Sequence, residues 1–207
     1  MGHVPARGLV WRAGCHHPCV ARPLGAVVNI GIRLWIAYYL AEVLRNPEDP
    51  RFARKALPVR NLIIVGGLSL LFPLRHLFRR PWRRYPVWWD ALYLSLFWLD
   101  MAGNHYDLYE TYKEERFDLI PHFHGTGAVA AALHGGLGLS PWRAFLLTNA
   151  LHIALEIQEY ATDVFFDTRN VHGWGDSLGD VAAGLAATSI YTPLASRLPG
   201  VSRDRRE

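Results

Sequence analysis

Charged residues in this chain gather in a few short clusters, and long apolar stretches run between them. Six stretches are long enough for sustained helices: residues 24–44, 61–78, 86–104, 119–139, 142–166 and 176–195. Each approaches the ~20 residues that carry a helix across the hydrocarbon layer of a bilayer. The second has an uncharged core over 62–74. The fourth and sixth are rich in small residues (Gly125, Gly127, Ala128, Ala130, Ala131; Ala182, Ala183, Gly184, Ala186, Ala187), which let helix backbones approach closely in lipid. Trp and Tyr cluster near the ends of the stretches, at Trp35, Tyr38, Tyr39, Trp82, Tyr85, Trp88, Trp89, Trp142 and Trp174, as in interfacial belts. Pro47, Pro50, Pro58, Pro81, Pro86, Pro141 and Pro199 punctuate the connections.

This pattern predicts an all-α integral membrane bundle of about six transmembrane helices over residues 24–196. A flexible basic tail over 1–23 and a basic tail over 197–207 flank it. A soluble bundle with unusually apolar helices is the alternative. No internal repeat, matched half or broken helix is read from the chain.

Composition decides less than distribution. The mean hydropathy is only +0.05 although 51% of residues are hydrophobic. The chain has 22 Lys and Arg against 18 acids, for a net charge of +4. These basic residues flank apolar runs, as at Arg79, Arg80, Arg83 and Arg84, and no recognised nucleic-acid motif accompanies them. Nucleic acid is therefore set aside as a partner, and the lipid bilayer takes its place. The larger share of basic residues falls on the side of the termini, which puts both termini in the cytoplasm and the protein in the cytoplasmic (inner) membrane. The first apolar run is followed by Glu42-Val43-Leu44-Arg45 rather than a small-residue cleavage site, and is read as a retained helix. The two cysteines stand in Cys15-His16-His17-Pro18-Cys19, within the expected tail. They imply no disulfide framework.

The chemistry lies in ionisable residues on apolar helices. His152, Glu156, Glu159 and Asp163 step by four, three and four residues, which at about 100° per residue places them in a stripe roughly 60° wide. Asp118 and His122 are four apart, as are Asp176 and Asp180. Ionisable groups among such apolar neighbours need partners or a task. With alternating helices, Asp100, Asp118, His122, Glu159, Asp163, Asp176 and Asp180 all come to one end of the bundle. A polar cavity is expected there, floored by His152 and Glu156. Carboxylates crowded together must take up protons or share a cation. A divalent metal (Zn, Mn, Fe or Mg) held among Asp118, His122, His152, Glu156, Glu159, Asp176 and Asp180 meets that need, with Glu156 or Glu159 as catalytic base. Taken singly, Asp118 and Asp176 also read as helix N-caps, and Glu42 and Asp90 as residues snorkelling from membrane ends. His124 and His134 read as packed histidines. No Gly-x-Ser-x-Gly, Walker loop or dinucleotide fingerprint is present.

Two stretches resemble the VanZ-like and YjdF-like bacterial membrane proteins over roughly residues 96–195. Arg116-Phe117-Asp118-Leu119-Ile120-Pro121-His122-Phe123-His124-Gly125 is similar to their Arg-aromatic-Asp-x-x-x-His-x-x-Gly helix start. Glu156-Ile157-Gln158-Glu159, with Asp176-Ser177-Leu178-Gly179-Asp180-Val181-Ala182-Ala183-Gly184, is similar to their Glu-x-x-Glu and Asp-x-x-x-(Asp/Asn)-x-x-x-Gly helices. The resemblance implies a small polytopic protein of the cytoplasmic membrane. Three functions are carried forward from the sequence. One is a metal-dependent enzyme acting on a lipid or envelope intermediate. The others are a proton- or cation-coupled transporter and a non-catalytic scaffold whose polar network fixes helix packing.

Overall fold

The computed structural model describes residues 18–53, 62–79, 85–166 and 173–198. Among the described residues all regular structure is helical. Helix α1 spans Pro18–Arg45 and is followed by a short turn of helix, α2, Pro50–Ala53. A π-helical turn, Leu62–Gly66, precedes α3, Leu71–Arg79. Then come α4 (Val87–His105), α5 (Leu108–Thr111), α6 (Leu119–Gly135), α7 (Pro141–Phe166) and α8 (Trp174–Arg197). Cys15, His16, His17 and the end of the C-terminal tail lie outside the described residues, and Cys19 falls at the start of α1. Helix α1 begins at Pro18, inside the range expected to be tail.

Among the described residues one helix, Pro23–Arg45, is long and apolar enough to cross a membrane on length and composition. The others are shorter or carry interior ionisable residues. Helix α6 has 17 residues, α4 contains Asp90 and Asp100, and α7 contains His152, Glu156 and Glu159.

Side-chain pairs fix the directions of the helices. Asn29 meets Asp90 near one end of α1 and α4, and Glu42 meets His105 near the other, so the two run parallel. Ser95 of α4 meets His124 of α6, and Trp89 lies against Gly135, so that pair is antiparallel. Asp176 and Asp180 of α8 face Asp118, while Ser196 bonds His134, so α6 and α8 are parallel. Helix α7 runs against both, with His152 on His122 and Asn149 on Thr188.

Two kinds of core result. Between α1, the π-turn and α4, large side chains fill the space: Tyr39, Val43, Phe72, Leu94 and Met101 are fully buried. On α6 and α8 the buried residues are small, with Ala128, Ala130, Ala187 and Thr188 fully buried. Gly127 lies against the ring of Tyr191, and its absent Cβ is what lets the two backbones close.

The expected second span is interrupted. The chain turns at Ser69–Leu70 between the π-turn and α3. Pro73 is the cause: it has no N–H to give the carbonyl of Ser69 one turn earlier. That carbonyl accepts Nη1 of Arg33 at 2.7 Å instead, and the carbonyl of Leu68 accepts the Tyr93 hydroxyl at 3.1 Å. Arg33 is held in turn by Asp90, whose Oδ2 accepts Arg33 Nη2 at 2.8 Å, Asn29 Nδ2 at 2.7 Å and the Tyr85 hydroxyl. Asp90 is 0% exposed, so it does not snorkel. Arg33 of one apolar helix and Asp90 of another are partners.

At the far end of α1 and α4, Arg51 donates to Glu42 and to the carbonyl of His105, tying the 46–53 connection to the end of α4. Arg51 also bonds Asp49 and holds that carboxyl below its ordinary range.

Asp90→Leu removes the acceptor for three buried or half-buried donors. It should cost about 3–5 kcal/mol, seen as a lower unfolding temperature in detergent. Arg33→Met added to it should recover most of that loss. An Asp90→Leu protein as stable as the parent would show that this ion pair does not hold the break.

Candidate metal centre

Helix α6 starts where the 106–118 connection turns back into the bundle. Arg116 takes a left-handed backbone, with φ of 54°. Asp118 follows at the N-cap position, but no side-chain cap bond forms there. At the start of α8 the cap is Gly173, at φ 113°, where a side chain would be strained, and Asp176 stands in the first turn. Neither aspartate is the side-chain N-cap that each taken singly resembles.

The two aspartates have another company. Asp118, Asp176 and Asp180 each offer a carboxylate oxygen, and these atoms lie within 4.8 Å of one another. His122, His152 and Glu156 form a second group meeting the same limit. The groups touch, since Nε2 of His122 is 3.9 Å from Oδ2 of Asp180. Clusters of this composition could bind a metal ion. Six of the seven residues expected from sequence to serve as ligands are thus brought together from three helices.

The His122 group has defined geometry. Nδ1 of His122 is 2.9 Å from Nε2 of His152, and each of these nitrogens is 3.4 Å from Oε1 of Glu156. A tetrahedral ion with bonds of about 2.0–2.2 Å has ligand atoms roughly 3.3–3.6 Å apart. The triangle therefore approximates one face of such a coordination shell, with the two-imidazole edge shorter. Glu156 and His152 are each 5% exposed, and Glu156 Oε1 has no hydrogen-bond partner. Buried polar atoms are almost always satisfied, so this oxygen calls for an explanation. Gly184 of α8 makes the site possible. A Cβ there would strike Nδ1 of His152 and come within 3.2 Å of Thr126.

Glu159 stands apart from both groups. It is half-buried and lies within electrostatic reach of Tyr109. Tyr109, on α5, donates to Oδ1 of Asp100 at 2.8 Å and packs edge-on against Phe117, in room left by Gly103. Burial first, then Asp100 and Glu159, raise its phenol well above the ordinary value, so it stays a neutral donor. Asp163 is half-buried and also outside the groups. His124 and His134 are packed histidines: His124 meets Ser95 and Tyr191, and His134 meets Ser196 and the carbonyl of Leu139.

Sequence reasoning missed the Asn29–Arg33–Asp90–Tyr85 cluster as a unit. Its signal was the single arginine of the first apolar stretch, which needs an acid at similar depth. Comparison with protein-family models, curated proteins and solved structures finds no match for this chain.

Gly184→Ala should push the His152 ring off His122 and lower stability by about 1–3 kcal/mol, read by thermal unfolding. Gly175→Ala, where no atom lies within 4 Å of the added carbon, is the control and should leave stability near that of the parent.

Proposed function

We propose that the chain is a six-span protein of the cytoplasmic membrane, and that it acts as a metal-dependent enzyme on a lipid or envelope intermediate at the outer face. The observation that carries the reading is the His122–His152–Glu156 triangle, whose edges suit a divalent ion of the Zn, Mn or Fe type and whose carboxylate oxygen otherwise goes unsatisfied.

Membrane residence is supported by the outward faces of the helices. Leu34, Phe78, Leu151, Ile157, Val164, Phe165, Ile190 and Leu194 are exposed, while Asp90, His152, Glu156 and Asp180 are buried. That is the inverse of a water-soluble bundle. The resemblance of residues 96–195 to VanZ-like and YjdF-like proteins agrees with it. The basic residues favour cytoplasmic termini, which puts the metal centre toward the exterior.

A bound divalent ion would supply Lewis acidity and an acidified water. The chain's own groups do the rest. His122, His152 and Glu156 would hold the ion from two helices, so their spacing is fixed by packing rather than by a loop. Of the two candidate bases on α7, Glu156 would serve as a ligand, and Glu159 stands outside the group, near Tyr109. The guanidinium of Arg116, exposed beside Asp176, lies where an anionic head group would enter.

A second reading, a proton- or cation-coupled transporter, draws on one observation. The interrupted segment at Ser69–Leu70 is a discontinuous helix of the kind that transporters use at ion sites. Its freed carbonyl, however, is already taken by Arg33, well away from the His122 group. The enzyme reading is therefore preferred.

Protein purified in detergent should carry a transition metal at about one per chain, and His122→Ala/Glu156→Ala should lose it while keeping its helical circular dichroism. Metal-free protein that folds the same with or without the two ligands would remove the reading. Proton or cation flux in vesicles, abolished by the same substitutions, would favour the transporter.

A further inference from the structure

The three aspartates beside the imidazole site are not explained by it. Asp118, Asp176 and Asp180 come from two helices, and their carboxylate oxygens lie within 4.8 Å of one another. At that spacing three carboxylates repel. The guanidinium of Arg116 meets Asp176 at 3.5 Å. Asp180 is 4% exposed, and its Oδ1 is buried with no hydrogen-bond partner. A buried, unsatisfied carboxylate oxygen in a group of three acids is costly unless a proton or a cation completes it.

We propose that Asp118, Asp176 and Asp180 hold a second divalent cation, so that this end of the bundle is a two-cation centre with unlike halves. The second site offers oxygen only. It suits Mg, Ca or Mn, which prefer carboxylate and water ligands, whereas the His122 group suits Zn, Fe or Mn. Asp118 and Asp176 are half-buried, which leaves room for the waters that such cations retain. His122 and Asp180, 3.9 Å apart, are where the two halves meet. The proposal does not need the imidazole site to be filled, and the test keeps the two assignments separate.

The full chain in detergent, stripped with chelator, is titrated with Mn²⁺ alone. About two ions should bind per chain. Asp118→Asn/Asp176→Asn should lose one and keep the other. His152→Gln should lose the complementary one. Excess Mg²⁺ should displace only the ion that the aspartate variant lacks. Each variant is checked for an unchanged gel-filtration peak and helical signal. If the double variant does not fold, Asp118→Asn alone takes its place, with weakened Mn²⁺ binding and unchanged Mg²⁺-resistant binding as the expected result. Two ions in the aspartate variant, or a single ion sensitive only to His152→Gln, overturns the second site and leaves the first standing. A single ion sensitive only to the aspartates does the reverse.

Discussion

Helices α6 and α8 lie side by side in parallel, and the distance between them is set by residues that have almost no side chain. A Cβ on Gly127 of α6 would strike Tyr191 of α8, and one on Gly184 of α8 would come within 3.2 Å of Thr126 of α6, while Ala128, Ala130 and Ala187 of the same helices are fully buried. Because the helices are parallel, their first turns arrive at the same level. Because they are close, the carboxylates of those turns converge. Helix α7 then needs only to run against the pair to bring His152 onto His122. Van der Waals contact between small residues is what lets two helix backbones come this close. The same contact that closes the bundle thereby assembles its charged end.

The other half of the molecule solves a different problem. Pro73 breaks a helix, and the break leaves carbonyl oxygens without a partner in their own helix. Arg33 and Tyr93 bring donors to them from α1 and α4. Asp90 then neutralises the arginine with no exposure of its own. A buried ion pair of this kind adds little net stability compared with apolar side chains of similar size, but losing one partner is expensive. It acts as a register pin: α1, the interrupted segment and α4 fit together at one setting.

Much of this was legible in the residues. The bounds of α4, α7 and α8 follow from apolar periodicity and from flanking Gly and Pro, which are local signals. The convergence of Asp118, His122, His152, Glu156, Asp176 and Asp180 followed from spacing and alternating helix direction. What was not legible depends on partners far along the chain. The break at Ser69–Leu70 is tolerated because of Arg33, 36 residues earlier. Asp90 reads as a snorkelling residue until Asn29 and Arg33 are seen around it. Glu159 shares a helix face with Glu156, yet the fold of the 106–118 connection places Tyr109 near it instead. A helical stripe gives direction but not depth, and depth separates a ligand from a neighbour of the site.

The contact between His122 and His152 joins two imidazoles through ring nitrogens 2.9 Å apart. At that distance one hydrogen lies between them, donated by one ring and accepted by the other. Both lone pairs can turn toward one point only after that hydrogen has moved to the far nitrogen of its ring. A tautomer shift in one imidazole would therefore precede any sharing of a cation between the two rings.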